Sequence, residues 1–265
     1  MADSLDELRQ KVAVAMRILA LQECVTDIMG HVSARIPGTS DMFIRCRGGN
    51  ERGLIYTDVQ QIRRINFTEK SGTMQDSYMV PLEVPIHGEI YQARPEVNAI
   101  VHAHPYATLI CGIAELKFRP VIGAFDPAVL AIAAGGVPVY PRSVLINSDA
   151  LARELINTMG TKNCCLMKGH GITVVGSSVE AATLLALRLE KLAQITLDLS
   201  LLKKSTDISQ EDLDFFDGVI KQGLSAVLPE GDKWLWLHLV ELLRNRIGIP
   251  DDFDVGGSNS SISGG

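Results

Sequence analysis

Apolar positions along the chain recur with two periods, one near four residues and one near two, and so predict helices and strands in succession. The stretch 4–22, SLDELRQKVAVAMRILALQ, has helical spacing, and Ser4 with Glu7 forms a capping box at its start. GHVSARIPG and MFIRC read as short strands separated by a turn at Pro37-Gly38. Residues 47–80 are rich in turn formers and show no clear period. PIHGEIYQARP predicts a short helix with Pro85 in its first turn, ending before Pro95. VNAIVHAH is a strand, and a helix begins near Pro105. FDPAVLAIAAGG is helical with a glycine stop, GVPVYP is a short strand, and NSDALARELINTMG is a helix opened by Asn147 or Ser148. CCLMKGHGITVVG gives two strands broken at the residues 168–171. SSVEAATLLALRLEKLAQITLDLSLL is a long, largely apolar helix, expected at a core or a subunit interface. DLDFFDGVIKQGL and GDKWLWLHLVELLRNRI are two further helices, and Trp234, Trp236 and His238 in the second either pack as core, the favoured reading, or cover a neighbouring subunit's site. Alternating strands and helices without a linker predict one α/β domain over 1–248. The tail 249–265, ending GGSNSSISGG, cannot bury its backbone and is expected to be disordered.

Composition narrows the partners. With 265 residues, 46% hydrophobic and 21% charged, the chain can bury a sizeable core. A net charge of −6 without a Lys/Arg cluster argues against nucleic acid as a partner. No apolar run reaches the length of a membrane span, and MADSLDELRQ is too charged for a signal peptide. Five cysteines without framework spacing argue against a disulfide scaffold, and the adjacent Cys164 and Cys165 read as buried thiols. A cytoplasmic location is the expectation these absences leave.

The chain has six histidines, and two fall in AIVHAHPY at a strand end. Residues two apart in a strand share a face, so His102 and His104 present two imidazoles side by side. That arrangement suits metal ligands, and it equally suits buried histidines satisfied by hydrogen bonds. His170 in KGHGI is the third candidate, because glycines on both sides let the backbone turn sharply. Three neutral imidazoles around a divalent ion leave coordination positions open for substrate. Glu83, ahead of a short helix and among apolar residues, is the candidate proton carrier, since burial would raise its pKa. Its other reading is a helix-start carboxylate facing the dipole. His87, four residues on, is either its partner or helix surface.

Taken in order, GHVSAR, EVPIH, AIVHAHP and KGHGI resemble the class II aldolase/adducin superfamily, over residues 6–200. The resemblance implies an α/β/α three-layer sandwich around a mixed, mainly antiparallel sheet. It also implies His102, His104 and His170 as ligands of one divalent metal ion per subunit, zinc or manganese, with iron as an option. Glu83 stands where the family's catalytic acid/base glutamate precedes a helix histidine by four positions. Members are commonly homotetramers with active sites between subunits. Adducin-type members lack the metal ligands and act as scaffolds, whereas this chain keeps all of them.

The departures from the sugar-phosphate aldolases point to the substrate. Those enzymes carry Asn in G-N-[VIS]-S, a Thr-Gly or Ser-Gly turn, and Ser-Ser before the glutamate, all of which bind phosphate. Here His31, RGGNERGLIY and Pro81-Leu82 occupy these places, and phosphate loses its hydroxyl donors. His31 and one or two of Arg35, Arg45, Arg47 and Arg52 are instead candidates to engage a carboxylate, which a guanidinium pairs bidentately. Tyr106, just after H-x-H, is a candidate for the pocket wall, as are Phe125 and Asp126. The pattern resembles the branch containing 3-hydroxy-2-methylpyridine-4,5-dicarboxylate and dihydroxyphthalate decarboxylases. It implies a metal-dependent lyase that decarboxylates a hydroxylated aromatic or heteroaromatic acid. The alternatives are a non-haem Fe(II) oxygenase of a prenylated hydroxy-aromatic acid, an aldolase, and an adducin-like non-enzymatic module.

Overall fold

The central strands are apolar on both sides of the pleat, and two helical layers cover them. The structure, a computed structural model, describes residues 4–25, 27–48, 51–69, 78–203, 206–219 and 225–248, without the side chains of 225–229. The expected disordered tail, 249–265, lies outside the described residues. Strands β1 (His31–Arg35), β2 (Asp41–Arg45), β4 (Ile62–Asn66), β6 (Ala99–Ala103), β7 (Val139–Tyr140), β8 (Cys164–Met167) and β9 (Gly171–Gly176) form one sheet in the order β4-β2-β1-β6-β9-β8-β7. Every neighbouring pair is antiparallel except β7–β8. The short strands β3 (Arg47–Gly48) and β5 (Tyr78–Met79) pair separately.

Period-two alternation sends alternate strand residues into two cores. Val32, Ala34, Val101, Ile172 and Val174 pack into the layer of α1 (Leu5–Leu21), α3 (Tyr106–Ile113), α6 (Val179–Leu202) and α8 (Ser225–Ile247). Met42, Ile44, Ile100, Cys165 and Val175 pack into the layer of α2 (Val84–Ala93) and α5 (Asp149–Met159). The result is the three-layer α/β/α sandwich with a mixed, mainly antiparallel sheet. Each Val, Ile or Met among them contributes roughly 1.5–3 kcal/mol when fully buried.

The helix starts follow the capping chemistry. Ser4 and Glu7 form the capping box of α1, Ser148 opens α5, and Asp126 opens α4 (Pro127–Gly135). In α6, Val179, Ala182, Ala186, Leu189 and Ala193 are buried on one face. Trp236 is buried in the α1/α6 layer as expected, whereas Trp234 is exposed. The helix α7 (Gln210–Val219) covers the described part of DLDFFDGVIKQGL. Residues 47–69, without a clear sequence period, hold β3, two 3-10 turns and the edge strand β4.

Candidate metal centre

Alternation also sorts polarity on the strands beneath α2. On β1, His31, Ser33 and Arg35 turn towards α2, while Val32 and Ala34 enter the opposite core. On β6, His102 shares a face with Ile100 and is itself fully buried. His31 and His102 are register partners, with ring centroids 5.0 Å apart.

Three further segments converge on His102. β6 ends at Ala103, and His104 leads into Pro105, the N-cap of α3. The buried Glu190 carboxylate on α6 accepts the Ala107 and Thr108 N–H groups at 2.8 and 2.9 Å and so pins that turn. His104 Nε2 then lies 3.0 Å from His102 Nε2. His170 arrives from the β8–β9 turn, where Gly169 adopts φ +64. Gly171 is required for a different reason: a Cβ there would stand 2.2 Å from the Ala103 carbonyl oxygen. Glu83 is the N-cap residue of α2 but makes no side-chain cap to its own helix. Its Oε2 lies 3.1 Å from His102 Nε2 and its Oε1 3.3 Å from His170 Nε2, and Oε1 accepts the Ile146 N–H at 3.0 Å. One ligand atom from each of Glu83, His102, His104 and His170 falls within 4.8 Å of the others.

The donor chemistry fits a divalent cation. His102 Nδ1–H donates to the Ile172 carbonyl at 3.0 Å, which leaves the neutral ring's Nε2 bare. That bare nitrogen faces a carboxylate oxygen at 3.1 Å, two acceptors that need a positive centre between them. Three of the separations, at 3.0–3.3 Å, are close to the roughly 3.4 Å between donors about 2.1 Å from one ion. Burial also keeps the His104 imidazole in the ligating form, pushing it down to about 3.

The electrostatics of Glu83 correct one expectation. Burial pushes its pKa up, as the apolar sequence context suggests, but a positive centre shared with the His102 and His170 edges, a proton where no metal ion is bound, outweighs burial and holds it well below the carboxylate range. The resting group is an anion. His87 is neither a partner for Glu83 nor helix surface. It is fully buried, 2.7 Å from His31 Nδ1 and 2.6 Å from Ser33 Oγ.

The sequence candidates divide. Glu83, His102, His104 and His170 converge, and His31 stands beside them. Arg35 is not brought to the cluster, since it points along α2 and spends its guanidinium on the carbonyls of Val97, Tyr91 and Arg94. Arg45 is buried and paired with Glu51, and Arg52 lies over Tyr56. Arg47 donates to the Ile28 carbonyl, and its charge acts on His104. Tyr106 is 67% exposed on the first turn of α3. Phe125 is exposed, and Asp126 caps α4 and pairs with Lys191, so neither joins the cluster. Ser33 and Tyr91 went unnoticed in the sequence. The signal was the polar alternation His31-x-Ser33-x-Arg35 opposite His87 and Tyr91, one helical turn apart.

The model of the Class II Aldolase and Adducin N-terminal domain matches residues 10–197. The chain belongs to this family. Among its relatives, the 3,4-dihydroxyphthalate decarboxylase of Arthrobacter keyseri is 40% identical over 195 residues, covering 72% of this chain and 78% of that protein. The 3,4-dihydroxyphthalate decarboxylase of Terrabacter sp. (strain DBF63) is 38% identical over 228 residues, covering 85% and 93%. Among solved structures, an aldolase II superfamily protein from Pseudomonas syringae superposes with a TM-score of 0.76 at 20% identity, over 92% of this chain and 95% of that one. That likeness shows the class II aldolase fold.

Proposed function

We propose that this class II aldolase family member is a metal-dependent lyase that decarboxylates a hydroxylated aromatic carboxylate, with 3,4-dihydroxyphthalate the first substrate to try. The observation that carries the reading is the 38–40% identity to decarboxylases of that name, over as much as 93% of their length. The four-donor cluster supplies the matching chemistry.

In this reading residues 1–248 form one domain, and His102, His104 and His170 hold one zinc or manganese ion. Such an ion, when bound, supplies Lewis-acid stabilisation for charge on the substrate's ring oxygen. The remaining work falls to the chain. Decarboxylation breaks the bond between the ring carbon and the carboxylate carbon, leaves its electron pair on the ring, and requires a proton at that carbon. Glu83, an anion at rest, takes a proton from the ring hydroxyl or a water and returns it to the ring carbon. The Ile146 N–H fixes the orientation of its carboxylate. Arg47 is assigned to a substrate carboxylate. Pro81-Leu82 ahead of Glu83, in place of hydroxyl donors, favours an unphosphorylated ring.

The test is CO₂ release from 3,4-dihydroxyphthalate and related hydroxy-aromatic acids by protein loaded with zinc or manganese. We expect about one ion per chain, turnover to the decarboxylated phenol, and loss of turnover with a chelator. Metal-loaded protein that releases CO₂ from none of these acids would sink the reading. Bound iron with oxygen uptake would replace it with the oxygenase.

The assembly we assign is a cytoplasmic homotetramer, as the family resemblance implies. Light scattering should then give a mass near four times the 28.8 kDa chain. Among the described residues no helix is long and apolar enough to cross a membrane.

A further inference from the structure

A buried hydrogen-bond chain runs from α2 through β1 to the edge of the metal centre. Tyr91 Oη lies 2.9 Å from Ser33 Oγ, Ser33 Oγ lies 2.6 Å from His87 Nδ1, and His87 Nε2 lies 2.7 Å from His31 Nδ1. Ser33 and His87 are fully buried, and Tyr91 is 1% exposed. None of these groups has a part in the proton transfer assigned to Glu83.

The chain can be protonated in two directions, and its inner end selects between them. Among the described residues Ser33 Oγ is the one hydrogen-bond partner of the Tyr91 hydroxyl. A phenol carries a single proton, and burying it without an acceptor costs roughly 1–3 kcal/mol. Tyr91 therefore donates to Ser33, and Ser33 passes its own proton towards His87 Nδ1. His87 then carries its proton on Nε2 and donates it to His31 Nδ1. The neutral His31 ring is left with its proton on Nε2. Adding a proton to either imidazole does not change this end result. A charged His87 still donates through Nε2, and a charged His31 carries a proton on both nitrogens.

His31 Nε2 has no protein partner among the described residues, yet it is not one of the buried, unpartnered atoms. It therefore borders open space. The ring lies 5.0 Å from that of His102, and the charges acting on it include His102, His104 and Glu83. A nitrogen bearing hydrogen cannot ligate a metal, so His31 in this tautomer stands beside the four-donor cluster as a donor and not as a ligand.

We propose that His31 presents a fixed Nε2–H donor to an acceptor oxygen of the bound aromatic acid, and that Tyr91, Ser33 and His87 are positioning residues that set its tautomer. This rests on the decarboxylase reading for the identity of the acid, while the tautomer does not. A fixed donor selects a substrate oxygen at one place, because an analogue without it leaves the donor buried against nothing.

Two measurements test the proposal. The first is ¹⁵N NMR of histidine-labelled, zinc-loaded protein without substrate. We expect His31 Nε2 to show the shift of a protonated ring nitrogen, and Tyr91→Phe to move it towards a mixture of tautomers. A bare Nε2 in the wild type overturns the proposal. The second is calorimetric binding of 3,4-dihydroxyphthalate to zinc-loaded wild type and variants at residue 31, all carrying Glu83→Gln so that the acid is bound and not turned over. His31→Gln, which keeps an amide donor, should bind within about tenfold of wild type. His31→Leu should bind roughly 100-fold more weakly, the loss of a hydrogen bond to a charged group. Equal affinity in wild type and His31→Leu overturns the donor role. Binding that depends on His31, without CO₂ release by protein that keeps Glu83, leaves the donor standing and removes only the decarboxylase.

Discussion

Glu83 is drawn in opposite directions, since burial disfavours its charge while two imidazole edges and the Ile146 N–H favour it. The anion is therefore the resting state, and a group that takes up and returns a proton fits this better than a resident acid. Glu83→Gln keeps the shape and the contact to Ile146 but removes the proton carrier. We expect metal content near wild type by elemental analysis, with kcat lower by roughly 10²–10⁴. Loss of the metal in this variant would instead make Glu83 chiefly a ligand. His102→Ala and His170→Ala should each lose the ion, with affinity falling by at least about 10–100-fold. The metal-ligand candidates were legible in the sequence because alternation puts His102 and His104 on one side and glycines free the turn at His170. Arg35 misled for a physical reason. A guanidinium serves carbonyls as readily as carboxylates, and its place on β1 puts it at the carbonyl end of α2.

Between elements, the decisive contact is the closeness of β6 and β9, which brings His170 to His104. Gly171 permits it, since a Cβ there would meet the Ala103 carbonyl oxygen at 2.2 Å and His104 Cδ2 at 2.8 Å. Gly171→Ala forces the strands apart at the point where the candidate ligands converge. We expect about 1–3 kcal/mol lost stability, read as a lower Tm, together with weaker metal binding. Gly218→Ala in α7 is the control, because among the described residues nothing lies within 4 Å of a Cβ placed there. There the better helix former should raise stability by up to about 1 kcal/mol. A Gly171→Ala protein with unchanged Tm and metal affinity would show that the strands have room. Most elements were legible because caps and periods agree, as at Ser4, Asp126 and Ser148. The strand β4 was not. As an edge it exposes Arg64 and half-buries Arg63, which breaks the alternation that marks a strand. The separate pair β3–β5 spans two residues on each side, too short to carry a period.

Across the whole molecule, the sandwich encloses imidazoles in an apolar interior, and this sets its response to acid. Burial holds His87 at about 3 and His104 at about 3, against an ordinary value of 6.5, and holds His31 well below that value. An unfolded chain takes protons on these rings from about pH 6.5 downwards, while the folded chain does not. A depressed folded pKa contributes stability that is complete above 6.5 and is lost as pH falls towards 3. Glu83 is depressed too, but its contribution persists down to the ordinary carboxylate value of 4.5 and declines only below it. Between pH 6.5 and 4.5 the imidazoles therefore dominate the slope. We expect Tm of chelator-treated protein to be level above pH 7 and to fall steadily across that window. Removing the metal first separates ring protonation from loss of the ion. His87→Gln should flatten the slope by about one proton's worth, whatever its effect on absolute Tm, because its amide does not titrate. A wild-type Tm that stays level from pH 6.5 to 4.5 would mean the rings take up protons within the folded sandwich. The neutral interior that leaves nitrogen lone pairs free for a metal would then be lost.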